Sequence, residues 1–317
     1  MGGQFIGVDT SCYTTSFACV DEKSIVSDRR TVLSVASGER GLRQSDGVFQ
    51  HVRNASALLP AMMGDVCRRE VRCVGVSVRP RPEPDSYMPV FLAGKAAAVA
   101  LAEGLGVPLM EFSHQEGHVR AALMGNEALM DKPFLGMHLS GGTTEIFSVA
   151  PGMAITLLGG TEDLHAGQLV DRAGVAMGLP FPCGKHLEAL AGEFHGALSI
   201  KLRSSVKGAV CSFSGMESAV QRGLACGWDH RETAFAIYDG MARTFCKMLE
   251  AAREQTSLDC ALIAGGVASS PMLRAMMGER MQKRGSVALF FGESRLSGDN
   301  AVGAALLARD AWRRRNP

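Results

Sequence analysis

The stretch FIGVDTSCYTTSFACV, Phe5 to Val20, is echoed by FLGMHLSGGTTEIFSV, Phe134 to Val149, and the two superpose without a gap. Phe, Gly, Ser, the Thr-Thr pair and the final Val coincide. Each copy reads as a strand, a tight Ser/Thr/Gly turn and a returning strand. That is a β-hairpin whose loop can offer backbone N–H groups and hydroxyls to an anion. One hairpin opens each half of the chain, which predicts two related lobes that grip phosphates in a cleft between them.

Working outward, short β-branched runs (QFIGVD, TSFACV, RCVGVSV, FLGMHLS, EIFSVA, ALIAGG, VALFF) alternate with helical patterns. The helices are expected near 48–70, 92–104, 165–177, 230–254, 271–284 and 299–314. The fold class is therefore α/β with mixed sheets. At roughly 150 residues per domain, 317 residues make two lobes. We expect residues 1–112 to form the first, with a helix from 299–317 packing back on it, and 113–298 to form the second.

Basic and acidic residues nearly balance, 33 against 32, so net charge gives no reason to invoke nucleic acid, although a local patch can sit within a balanced sum. No apolar run approaches the ~18 residues of a membrane span, and MGGQFIGVD lacks the charged start and long apolar core of a secretion signal. A cytoplasmic protein without a membrane partner is expected. The nine cysteines stand singly, with no C-x-x-C pair to suggest zinc or redox chemistry, and are read as reduced core thiols.

SHQEGHVRAAL, Ser113 to Leu123, sets two histidines four residues apart. On a helix, His114 and His118 present their rings on one face, which suits a metal ion, while a bare H-x-x-x-H is more often a solvated or capped polar face, since two ligands alone bind weakly. A metalloprotease reading fails, because H-E-x-x-H needs its glutamate directly after the first histidine and Glu116 comes second. A metal needs a third ligand from elsewhere, and Asp299 in RLSGDNAVGAALLA is the clearest candidate. Asp299 also precedes a small-residue helix, so it can serve as that helix's N-cap. Two histidines and one carboxylate leave coordination positions open, as in a working site.

ALIAGGVASSPMLRAM reads as a buried strand ending at Gly265 and Gly266, then a helix capped by Ser270 with Pro271 in its first turn. Glycines at such a junction let a flat ligand approach the backbone, and the helix start favours negative charge. TEDLHAGQLVDRAGVAMGLPFPCGK places Asp163 near a helix start and Asp171 inside that helix, followed by a loop ending at Gly184. Ser212 and Ser214 stand ahead of a further helix as caps. His51, His138, His165, His186, His195 and His230 follow no ligand spacing. Met62, Met63, Met276, Met277 and Met281 read as core, and the terminal WRRRNP as a solvated basic tail.

In this order, GVDTSC, SHQEGH, LSGGTTEI, AGQLVDRAGVAMGLPFPCG, SFSGMES, AGGVASSPMLR and SGDNA resemble the tRNA threonylcarbamoyladenosine synthase family, the transferase subunit once described as a glycoprotease of the M22 group. The resemblance runs through nearly the whole chain. It implies the actin-like, sugar-kinase-like ATPase superfold. It also implies one divalent metal ion, iron or zinc, on His114, His118 and Asp299. An adenine nucleotide or threonylcarbamoyl adenylate would lie on His138, Leu139, Ser140, Gly141 and Gly142, on Asp171 and Gly184, and on Ser270 with Gly265 and Gly266. Implied partners are tRNA, a sister subunit of the same superfold and an ATPase.

The chain also departs from that pattern. Tyr13 and Thr14 replace two acidic residues after T-S-C, Thr143 replaces a histidine, Ser270 an asparagine, and Glu217 a lysine. SVRPRPEPDSYMP stands where the family has a glycine-rich loop, and its prolines stiffen that wall. The expected activity is transfer of a threonylcarbamoyl group to the N6 amine of a tRNA adenosine beside the anticodon. Two alternatives stand beside it: a paralogous carbamoyltransferase for another acceptor, and a non-catalytic nucleotide-binding partner subunit. No catalytic residue is assigned.

Overall fold

The computed structural model describes residues 2–11, 13–35, 42–83 and 85–316. Cys12, Pro84 and Pro317, which the sequence reading touches, lie outside them. Chain order runs β1 (Gln4–Asp9), β2 (Thr14–Val20), β3 (Ile25–Val32), α1 (Gln44–Gly64), β4 (Val71–Arg79), α2 (Phe91–Leu105), β5 (Leu109–Ser113) and α3 (His114–Ala122). It continues with β6 (Phe134–Leu139), β7 (Thr144–Ala150), β8 (Ala154–Gly160), α4 (Ala166–Ala176), α5 (Gly184–Gly192), β9 (Ser205–Lys207), β10 (Val210–Ser212) and α6 (Ser214–Ala225). Then follow α7 (His230–Thr256), β11 (Cys260–Ala264), α8 (Pro271–Arg284), β12 (Ala288–Phe291) and α9 (Val302–Arg315).

Two compact units emerge, Met1–Ala122 with Gly298–Pro317, and Leu123–Ser297. The first holds a five-stranded sheet ordered β3-β2-β1-β4-β5, the second one ordered β8-β7-β6-β11-β12. In both, the first three strands run antiparallel and the last two join in parallel. The quoted hairpins even share a register, since Phe5 faces Val20 and Phe134 faces Val149. The echo in the sequence is thus an echo of topology.

In the first unit, Ile6, Val8, Phe17, Val74 and Val76 face Met62 of α1 and Ala98 and Ala102 of α2. Burying such side chains contributes about 1.5–3 kcal/mol each for the larger ones. The opposite face carries glycines: a Cβ on Gly7 would collide with the Ala301 carbonyl, and one on Gly75 with that of Ala304. The small-residue helix α9 therefore lies directly on the backbone of β1 and β4. A Cβ on Gly303 would likewise collide with the Gly117 carbonyl, so α9 and α3 meet main chain to main chain.

That contact changes the boundary. Residues 113–122 pack in the first unit, not the second where the sequence reading puts them, because Gly117 and Gly303 let α3 settle on α9. In the second unit, α7 buries Ala234, Ile237, Met241, Phe245 and Leu249 at helical spacing against Leu135, Met137, Phe213 and Ile263. Asp229 caps α7 by accepting from the Glu232 N–H at 2.9 Å.

The strands expected from sequence leave out β3, β5, β8 and the three-residue strands β9 and β10. β5 is only five residues long, and β8 is an edge strand with exposed and half-buried residues throughout, so neither shows a strong alternation. The cysteines need one correction: Cys19, Cys73, Cys183, Cys211 and Cys246 are buried thiols, but Cys67 and Cys226 are exposed and Cys260 is half-buried. Burial pushes the Cys19, Cys73 and Cys211 thiols up to about 12, which keeps them inert. No helix among the described residues is long and apolar enough to cross a membrane.

Candidate metal centre

Helix α3 begins at the residue that matters. Ser113, the last of β5, donates its N–H (2.7 Å) and hydroxyl (2.6 Å) to Glu116 Oε2, while the Glu116 N–H returns to Ser113 Oγ at 3.2 Å. This capping box uses Glu116 to start the helix and keeps it out of the histidine pair. His114 then sits on the first turn and His118 one turn on. Their Nε2 atoms lie 2.9 Å apart.

Asp299 completes a triangle, with Oδ1 3.5 Å from His114 Nε2 and 3.4 Å from His118 Nε2. Ligands bound at about 2.1 Å in a tetrahedron stand ~3.4 Å from one another, close to these separations. The three residues form the only His/Cys/Asp/Glu group among the described residues with ligand atoms within 4.8 Å of one another. Without a cation or proton, two imidazole lone pairs and a carboxylate would repel at this range. The donor set fits a divalent ion.

The loop bearing Asp299 is fixed from three sides. The Ala301 N–H donates to Ser16 Oγ at 2.8 Å, the Arg30 guanidinium reaches the Asp299 carbonyl at 3.4 Å, and Asn300 Oδ1 accepts from the Gly303 N–H at 3.3 Å. Asn300 therefore does the capping for α9. The Asp299 carboxylate itself faces the histidines.

Behind the triangle lies Asp9, 1 % exposed, whose Oδ2 meets His114 Nδ1 at 2.9 Å. Its Oδ1 accepts from the Ser11 N–H at 2.9 Å and the Ser11 hydroxyl at 2.5 Å. Burial pushes the Asp9 carboxyl up, but the adjacent His114 ring and the hydrogen bonds outweigh it and hold the acid below its usual value. Burial likewise opposes charge on His114, yet Asp9 and Asp299 raise its pKa well above 6.5. For Asp299, burial is overcome by hydrogen bonds from both histidines, and the carboxyl stays ionised. With an ion bound in place of those protons, a carboxylate on the far nitrogen would fix the tautomer in which Nε2 presents its lone pair, as metal-ligating imidazoles require. Asp9 went unassigned in the sequence reading, although a carboxylate closing the apolar run QFIGVD is a legible signal.

The residues expected from sequence to seat a nucleotide fall in the second unit. His138 and Leu139 end β6, and Ser140, Gly141 and Gly142 make its turn, where Ser140 Oγ accepts from the Thr143 N–H at 3.0 Å and the Ser140 carbonyl from the Gly167 N–H at 3.1 Å. Gly265, at φ +107, adjoins this loop: a Cβ there would collide with the Leu139 carbonyl and sit 2.8 Å from the His138 ring. The structure thus brings His138–Gly142 together with Gly265 and Gly266. Asp171 and Gly184 form a separate knot, in which Asp171 Oδ1 accepts from the Cys183 N–H at 2.8 Å and Tyr238 donates to the Gly184 carbonyl at 3.1 Å.

Ser270 does cap α8, accepting from the Leu273 N–H at 3.1 Å, and its hydroxyl donates to Glu188 at 2.6 Å. Glu188 also accepts from the Met272 N–H at 2.8 Å, so a carboxylate already occupies the α8 start. Spacing four residues after Gly184 on α5 was the only hint of Glu188. Ser212 and Ser214 do not cap α6 themselves; Asp163 does, accepting from the Ser212 hydroxyl at 2.5 Å and from the Phe213 and Ser214 N–H groups at 2.8 and 3.2 Å. Glu217 lies in the first turn of α6, where its charge suits the helix dipole. Tyr13 is 43 % exposed at the β1–β2 turn, whereas Thr14 is buried.

Residues 84–306 match the family described as TsaD, tRNA N6-adenosine threonylcarbamoyltransferase. A tRNA N6-adenosine threonylcarbamoyltransferase of Geobacillus thermodenitrificans is 31 % identical, with 94 % of this chain and 88 % of that protein covered. Among solved structures, component A of the (R)-2-hydroxyglutaryl-CoA dehydratase of Acidaminococcus fermentans superposes with a TM-score of 0.59 at 13 % identity, covering 99 % of each chain. A ROK family glucokinase from Streptomyces griseus gives 0.57 at 14 % identity, covering 97 % of this chain and 100 % of that one. The structural likenesses establish the actin-like, sugar-kinase-like α/β fold, and the sequence matches go further: the chain belongs to the tRNA N6-adenosine threonylcarbamoyltransferase family.

Proposed function

We propose that the protein transfers a threonylcarbamoyl group from threonylcarbamoyl adenylate to the N6 amine of a tRNA adenosine beside the anticodon. His114, His118 and Asp299 hold a divalent ion, iron or zinc. The observation that carries the reading is the triangle of two imidazoles and a carboxylate, separated by 2.9, 3.4 and 3.5 Å, with Asp9 on the outer nitrogen of His114. A bound ion would supply Lewis-acid polarisation of a substrate oxygen. The chain's own residues do the rest: Asp9 keeps His114 in the ligating tautomer, and Ser16, Arg30 and Asn300 hold the Asp299 loop. In the second unit, His138–Gly142, Gly265, Gly266, Asp171, Gly184 and Ser270 seat the adenosine.

The test is incubation of the protein with threonylcarbamoyl adenylate and unmodified tRNA, with a sister subunit and ATPase partner supplied, followed by nucleoside analysis. Appearance of N6-threonylcarbamoyladenosine, lost in His114→Ala, supports the assignment. Its absence from protein with a filled metal site overturns the tRNA acceptor. A second reading, transfer to a different acceptor through the same centre, is favoured by Tyr13, an exposed phenol at the β1–β2 turn where an acidic residue was expected. It predicts product on a small-molecule amine or alcohol instead.

A further inference from the structure

At the carboxyl edge of the first sheet, β4 ends at Arg79, across the ladder from the residue before His114, with a guanidinium that has no partner among the described residues. Val74 and Val76, joined by Val78, pack into the core under α1 and α2, while Gly75 and Ser77 lie toward α9 and α3. Arg79 follows Val78 at a bulge that interrupts the alternation, so its place is given by the ladder and not by the strand's period. Its neighbour across the ladder is Ser113, the residue before His114, past a register shift between Ser77 and Arg79. Such bulges re-aim side chains at the edges of functional sites. On the other side, β1 closes with Asp9, two residues after Gly7 on that same face.

Arg79 is half-buried, its Nε lies inside the protein without a hydrogen-bond partner, and among the described residues the side chain forms no ion pair. A divalent ion on the triangle would bring two positive charges, matched by Asp299 and Asp9, while Glu116 is engaged with Ser113 and Arg30 with Asp28. Arg79 has no such partner among the described residues. A guanidinium fork matches carboxylate and phosphate geometry, and a half-buried one left unpaired is a standing cost that a bound anion removes.

We propose that Arg79 is an oxyanion-binding residue of this centre, taking a carboxylate or phosphate of the substrate bound there. The inference deepens the transferase reading and rests on it for the identity of the anion: that reaction offers the threonyl carboxylate of the donor and the phosphates of the tRNA.

The test begins with simple anions. Inorganic phosphate and acetate are titrated by calorimetry into metal-loaded wild type, Arg79→Met and Arg79→Lys, with metal content and melting temperature measured on each. The wild type should bind both anions, Arg79→Met about tenfold or more weakly, and Arg79→Lys in between, with metal content unchanged. Equal affinity in wild type and Arg79→Met, or no millimolar binding by the wild type, overturns the proposal. Because neither donor nor tRNA is present, failure of the transferase reading leaves this result interpretable.

Two arms then assign the anion. Loss in Arg79→Met of the preference for a non-hydrolysable threonylcarbamoyl adenylate analogue over its carboxamide counterpart assigns the threonyl carboxylate. A salt slope for tRNA binding reduced by about one assigns a tRNA phosphate. Weakened inorganic anions with neither arm altered assign the adenylate phosphate.

Discussion

Gly303 and Gly117 meet backbone to backbone, so that a Cβ on Gly303 would strike the Gly117 carbonyl. This contact sets how closely α9 lies on α3, and therefore where the Asp299 loop stands relative to His114 and His118. The glycine inside SHQEGH and the glycine inside DNAVGAA are two halves of one device. Its two members are not equivalent, because a Cβ on Gly117 would find its nearest neighbours at 3.8 Å (Ala304 N) and 3.9 Å (Ser77 Oγ).

Substitutions at the two glycines should therefore differ in sign. Gly303→Ala should destabilise the protein by about 1–3 kcal/mol through overpacking and weaken metal binding, since the helices must separate. Gly117→Ala meets ordinary contacts and gains helix propensity, so it should be neutral or stabilising by up to about 1 kcal/mol. Thermal melts and chelator competition on both variants check this. Equal losses in both would contradict the packing described.

Asp9→Asn keeps the shape of the side chain but removes the charge held against His114 Nδ1. Metal affinity should fall about 10- to 100-fold while the fold persists. Competition against a chelator of known affinity measures it, and an unchanged constant would show that Asp9 does not orient the ligand.

Asp163 gives a pH dependence with a definite sign. Burial raises its pKa, but the hydrogen bonds from Ser212, Ser214, Phe213 and Leu164 prevail and hold the carboxyl well below the ordinary 3.8. A depressed folded value means that its contribution is present above the unfolded pKa and is lost as pH falls toward the folded one. Asp163→Asn should cost about 1 kcal/mol at neutral pH, a figure kept small because the site is exposed and screened. The difference from wild type should shrink below about pH 4 in chemical denaturation. A gap that stays constant down to pH 2 would rule out the carboxylate as its source.

Ser270 serves both α8 and Glu188, so Ser270→Ala should cost about 1–2 kcal/mol and lower the melting temperature by a few degrees. Ser270→Asn keeps a capping oxygen and should stay within about 0.5 kcal/mol of wild type. Calorimetric melts separate the two, and a stable alanine variant would remove the cap from the account.

Much of this architecture could be read in the sequence where local pattern and tertiary role agree. The hairpins Phe5–Val20 and Phe134–Val149 carry their alternation and turn chemistry within sixteen residues, and both form in the same register. The capping residue of α8 and the i, i+4 placement of His114 and His118 are likewise local. What escaped is set by contacts between distant segments. Asp299 reads equally as a cap until Asn300 is seen to accept from Gly303, and the boundary near residue 113 shifts because of one glycine contact. Asp9 and Arg79 are single charged residues that end strands, and Glu188 is one midway along α5; their meaning depends on neighbours about 80 to 105 positions away or across a strand register.

The convergence of His114, His118 and Asp299 on one cation is tested most directly by metal analysis of the purified protein beside His114→Ala and Asp299→Ala, after removal of loosely bound ions. About one iron or zinc per chain is expected in the wild type and a small fraction of that in each variant, because two remaining ligands bind weakly. A wild type that holds no metal when supplied with it, or an Asp299→Ala protein that retains full stoichiometry and affinity, would contradict it.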